Sequence, residues 1–105
     1  MKAYMYLAIL TSRNGVKYVK PSYSSSKRAA KRQYSEKFNT DSVTVTYFCE
    51  TTRYPTFVRR QIEKEFSNIG AYWCPINYDN KIGKWYRINP FTANQIMKSV
   101  VSKNA

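Results

Sequence analysis

From Ala3 to Thr11 apolar side chains fill both alternating faces, with Met5, Leu7 and Ile9 on one and Tyr4, Tyr6, Ala8 and Leu10 on the other. Side chains alternate with period two along a strand, so a run apolar on both faces predicts a central strand. Asn14-Gly15 marks a tight turn, and Val16 to Lys20 reads as the returning strand, ended by Pro21. Ser24 to Ser26 supply N-caps for a helix reaching about Phe38. Ala30, Tyr34 and Phe38 recur at i, i+4, i+8 as its buried stripe, with Ala29 beside them and Arg28, Lys31 and Arg32 opposite.

Ser42 to Cys49 alternates again, placing Val43, Val45, Tyr47 and Cys49 inward. A second helix is predicted from Pro55 or Thr56, because proline suits the first helical position. Val58, Ile62, Phe66 and Ile69 form its core face, and Asn68 to Gly70 stop it. Ala71 to Ile76 and Lys84 to Ile88 read as two strands around a loop containing Asp79, Asn80 and Gly83. Asn89-Pro90 then caps and opens a last helix that buries Ala93, Ile96, Met97, Val100 and Val101. The resulting order, ββαβαββα, predicts a small α+β fold: a mostly antiparallel sheet with helices packed on it. No linker or repeat divides the chain, so residues 1–105 are expected to form a single basic domain.

Charge adds a partner to this picture. Eighteen Lys and Arg oppose six Asp and Glu, a net +12, and His is absent. Between residues 13 and 37 eight basic side chains face Glu36 alone, so +7 of that charge is clustered. The basic residues of the first predicted helix crowd its early turns, where the helix dipole disfavours them, which points to a use. A patch of this kind attracts polyanions, so Arg13, Lys17, Lys20, Lys27, Arg28, Lys31 and Arg32 are candidate contacts to nucleic-acid phosphates. The partner class is DNA or RNA, with no small-molecule cofactor implied. The longest apolar run, Ala3 to Leu10, is far short of the ~20 residues a membrane helix needs and has no cleavage site after it, so a cytoplasmic, membrane-free protein is expected. Cys49 and Cys74 lie in strand-like segments without a CxxC spacing and are expected as buried, reduced thiols, with a disulfide left open. Abundant Lys, Asn, Tyr, Ser and Ile, residues with A/T-rich codons, hints at an A/T-rich genome such as a phage's.

Without His there is no Ser-His or Cys-His pair, and three glycines provide no phosphate-cradling loop. One order of residues is nevertheless suggestive: Tyr4-Met5-Tyr6, Asn14-Gly15, Lys17-Tyr18-Val19, Ser22, then Lys27-Arg28 and Arg32. It resembles the GIY-YIG nucleases, which carry two short motifs on an opening hairpin and an arginine on the helix after it. Arg28 follows Lys20 by eight residues as that arginine would, and Glu65 and Asn77 stand twelve apart, like the family's metal-binding glutamate and later asparagine. The resemblance covers roughly residues 4 to 77. It departs from the family where Tyr4 and Lys20 replace the motif glycines. What it implies is Mg²⁺-dependent phosphodiester hydrolysis: Tyr6 and Tyr18 handling the attacking water, Arg28 neutralising the phosphate, Glu65 holding the metal and Asn77 buttressing it.

Each of these residues also has a plainer role. Tyr6 and Tyr18 alternate as core-edge aromatics do, Glu65 can pair with basic neighbours on its helix, and Asn77 can shape a turn. A third reading is a small phage-type inhibitor of a host protein. Trp73, Trp85, Tyr72, Tyr78 and Tyr86 cluster around the last hairpin, and such aromatics serve either interface hot spots or base stacking, although burial is the default expectation for both tryptophans.

Overall fold

The computed structural model describes residues 3–26, 28–29, 42–78 and 81–104, with the side chains of 42–43, 45–50, 78 and 81 outside the description. Its elements are β1 (Ala3–Thr11), β2 (Lys17–Ser24), β3 (Ser42–Thr52), α1 (Pro55–Asn68), β4 (Tyr72–Tyr78), β5 (Lys81–Arg87) and α2 (Pro90–Lys103). The strands make one sheet ordered β3-β1-β2-β5-β4. Every described pairing in it is antiparallel. This is the expected α+β fold. The helix predicted between β2 and β3 falls almost wholly outside the described residues, as do its stripe Ala30, Tyr34 and Phe38. Its opening is visible: Arg28 and Ala29 are helical, and the Ala29 N–H donates to Ser26 Oγ at 3.1 Å, an N-cap bond.

β1 lies between β3 and β2, the interior position its two apolar faces require. One face carries Met5, Leu7, Val19 and Tyr86 against Val58, Ile62 and Phe66 of α1 and Ala93, Met97, Val100 and Val101 of α2. The other face carries Tyr6, Ala8, Leu10 and Trp85, which are buried as well. Two hairpins, β1–β2 and β4–β5, meet at a single described bridge between Val19 and Tyr86. Tyr86 is held there by the edge of the Phe66 ring, with centroids 5.3 Å apart and planes at 69°.

The helices start and stop by local chemistry. Asn89 caps α2, its Oδ1 accepting from the Phe91 N–H at 2.8 Å and the Thr92 N–H at 3.4 Å, with Pro90 in the first turn. Asn89→Ala should cost about 1 kcal/mol, read as a lower urea midpoint at unchanged slope. α1 ends in a Schellman turn: the Ala71 N–H donates to Phe66 O and the Gly70 N–H to Ser67 O, both at 3.0 Å. Gly70 sits at φ +80°, where a side chain is strained even though a Cβ would meet nothing within 4 Å. Gly70→Ala is therefore expected to cost about 1–2 kcal/mol, a fall of several degrees in Tm. At its other end α1 is tied to β2 by Tyr23, whose hydroxyl lies 3.1 Å from Thr56 Oγ1 and whose ring lies 5.6 Å from the Arg59 guanidinium.

Four sequence expectations are corrected. β2 does not end at Pro21 but continues to Ser24. Pro21 follows the β2–β5 bridge at Val19, so among the described pairings it is paired on one side only, where a missing N–H is tolerated. β3 runs past Cys49 to Thr52 because the register slips between Met5 and Tyr6, which pair with Glu50 and Tyr47, leaving Phe48 and Cys49 as a bulge. Gly83 belongs to β5, not to the loop before it. Ile69 leaves the core face of α1: the Schellman turn diverts the chain there, exposing 56% of the side chain, and Ala71 packs against the core instead.

Candidate functional site

The β1–β2 turn brings the first cations together. The tight turn expected at Asn14-Gly15 is built as a three-residue loop, with the Ser12 N–H donating to Val16 O at 2.9 Å and the Gly15 N–H to Ser12 O at 3.0 Å. Gly15, at φ +83°, supplies the left-handed residue that such a loop needs. The Ser12 hydroxyl donates to Asn14 Oδ1 and accepts from the Val16 N–H, which stiffens the tip. Arg13 and Lys17 project from this braced tip, both exposed, with Lys17 Nζ donating to Thr11 Oγ1 at 3.2 Å.

Beside the tip lies the junction of β5 and α2. Together they enclose an open groove of about 440 Å³, lined by Asn14, Gly15, Val16 and Lys17 on one side and Arg87, Ile88, Asn89 and Pro90 on the other. Among the described residues its lining holds two cations and no carboxylate. Arg87 is the residue that sequence reasoning missed. It stands seventy positions after Lys17, and the Val19–Tyr86 bridge brings the two together. The available signal was weak: a basic residue at the end of a strand whose sheet neighbour is not fixed by any local pattern.

The remaining predicted phosphate contacts divide. Arg28 is exposed. Lys20 is half-buried, with its Nζ 5.9 Å from the centroid of Trp85. A Cβ on Gly83 would stand 2.8 Å from that nitrogen, so a side chain there would displace the ammonium. Lys27, Lys31 and Arg32 lie outside the described residues.

The residues implied by the nuclease resemblance are not gathered into one pocket. Tyr6 and Tyr18 share a sheet face, but Tyr6 is opposite Ser22 and Tyr18 opposite Leu10. Four residues of strand separate them, roughly 13 Å. Tyr6 is buried. Glu65 is exposed on α1, which packs against the opposite face of the sheet. It lines a separate groove of about 270 Å³ between the helices, with Gln61, Gln95 and Lys103 among its neighbours. Asn77 is exposed toward the far end of β4, opposite Ile82. Among the described residues no cluster of three or more His, Cys, Asp or Glu is placed to hold a metal ion. Cys74 is a free thiol, half-buried instead of fully buried, because β4 is an edge strand; the Cys49 side chain is outside the description. The two tryptophans also part ways. Trp85 is 1% exposed as expected, whereas Trp73 is 52% exposed.

Among the described residues no helix is long and apolar enough to cross a membrane. Comparisons with protein-family models, with curated proteins and with solved structures find no match for this chain.

Proposed function

We propose that this is a nucleic-acid-binding protein that holds the phosphate backbone along the β1–β2 tip and the groove beside it. The observation that carries the reading is that Lys17 and Arg87 line the same groove, with no acid among the described residues of its lining. Arg13 lies on the adjoining loop and is exposed, so the cations continue onto the tip; Arg28, also exposed, follows the opposite end of β2 and is not part of this groove. An open, cationic, braced surface suits a charged chain that passes over it, since phosphate contacts position without requiring an enclosed pocket. The chain's net +12 supplies the long-range attraction that speeds encounter. No catalytic step is needed for this role. Mg²⁺-dependent cleavage would require Tyr6, Tyr18 and Glu65 at one phosphate, and they stand on different faces and levels of the sheet.

Anisotropy titrations of labelled DNA and RNA across a salt series test the proposal. With about five phosphate contacts, log K should fall against log salt with a slope of roughly −4 to −5 on duplex DNA. An affinity that stays flat over that series would remove phosphate contacts as its source, and retention of a stoichiometric protein from nuclease-treated lysate would then favour the inhibitor reading.

A further inference from the structure

Among its described residues the β4–β5 hairpin at the sheet edge exposes three large side chains: Tyr72 at 77%, Trp73 at 52% and Ile82 at 76%. Scattered apolar residues on a surface need no explanation, but here exposed large side chains are concentrated on one short edge hairpin. Alternation along the strands sets Trp73, Lys84 and Ile82 on one face and Tyr72 with Arg87 on the other. Both aromatic members lie beside cations. Lys84 Nζ is 4.8 Å from the Trp73 ring centroid. Tyr72 is paired in register with Arg87, the residue that lines the cationic groove. Directly opposed side chains in an antiparallel pair are within reach of each other, so the groove leads through this pair to the open edge of β4, and a strand turning over that edge meets Trp73 on the other face. Residues 72–87 carry Lys81, Lys84 and Arg87 against Asp79 alone, a balance that favours an anionic occupant.

We infer that this edge is a base-stacking platform, and that the strand bound in the groove is single-stranded, passing Tyr72 and laying an unpaired base on Trp73. The inference rests on the phosphate-binding reading and names its substrate class. Exposed rings flanked by ammonium and guanidinium groups fit alternating bases and phosphates, whereas the bases of a duplex are already stacked on each other and cannot reach a protein ring. β4 is an edge of the sheet, so among the described residues no strand lies beyond Trp73.

The two tryptophans make the test direct, because one is buried and the other is open. The full chain is titrated with an oligothymidylate of roughly a dozen nucleotides, a duplex of equal length and an abasic strand of equal length, following tryptophan fluorescence and anisotropy. The expected result is quenching by oligothymidylate, weaker binding of the abasic strand, and loss of the quenching in Trp73→Ala. That variant should bind oligothymidylate roughly 5- to 150-fold more weakly while its duplex affinity stays within about two-fold. Trp73→Phe, which keeps a ring, should retain most of the affinity, and coincident thermal melts establish that both variants fold. Equal wild-type affinity for oligothymidylate and the abasic strand, or an oligothymidylate affinity unchanged in folded Trp73→Ala, overturns the platform and leaves phosphate binding standing. Failure to bind any of the three probes overturns both.

Discussion

Phe66→Ala is expected to lower folding stability by about 3–5 kcal/mol, the range for truncating a buried phenylalanine. Phe66 is fully buried, it is the last buried residue of the α1 stripe, and its ring edge meets Tyr86. Tyr86 in turn forms the sole described bridge between the two hairpins. The cavity would therefore open at the point where α1, β2 and β5 meet. A domain of this size has roughly 5–15 kcal/mol in all, so the variant should sit near its unfolding midpoint or well down its stability range. Urea denaturation followed by circular dichroism measures this, with Phe57→Ala as the control. Phe57 is on the same helix but half-exposed, and its truncation should stay within about 0.5 kcal/mol. Similar losses for both variants would mean that the helix does not bury the face described.

Reversing the groove's charge is the second large effect. Lys17→Glu combined with Arg87→Glu should weaken duplex binding on the order of 100-fold at low salt, because two attractive groups become repulsive. The corresponding neutral pair, Lys17→Ala with Arg87→Ala, should make the salt slope shallower by about two, near one unit for each phosphate no longer held. Lys98→Glu with Lys103→Glu changes net charge by the same amount on the exposed side of α2. That control separates a local interaction from the general field of the protein. Equal losses in the two reversed variants would leave only the field and remove the groove as a site. Both residues of the groove pair are exposed, so stability should be little affected.

Much of the fold was legible because its signals are local. The double-faced apolar run of β1, the Asn14-Gly15 turn, the Pro55 helix start, the Gly70 stop and the Asn89-Pro90 cap are each set by a few neighbouring residues. Two of the errors arose where a distant element set the outcome. Pro21 stays in its strand because the described β5 pairing is confined to Val19, and β3 is lengthened by a bulge facing β1. Neither leaves a mark in the local pattern.

The candidate site follows the same division. Composition and clustering alone established a strongly cationic chain, since charge is additive along a sequence and does not depend on the fold for its sign. Which cations share a surface depends on pairings between residues far apart in the chain. The sheet order joined Lys17 to Arg87, withdrew Lys20 toward Trp85, and set Glu65 on the far side of the sheet from Tyr6 and Tyr18. Sequence by itself thus determined most of the elements and the sign of the surface they carry, because propensity, capping and charge act within a few residues. The tertiary structure decided which side chains meet, because strand order and register are settled by burial of the whole sheet.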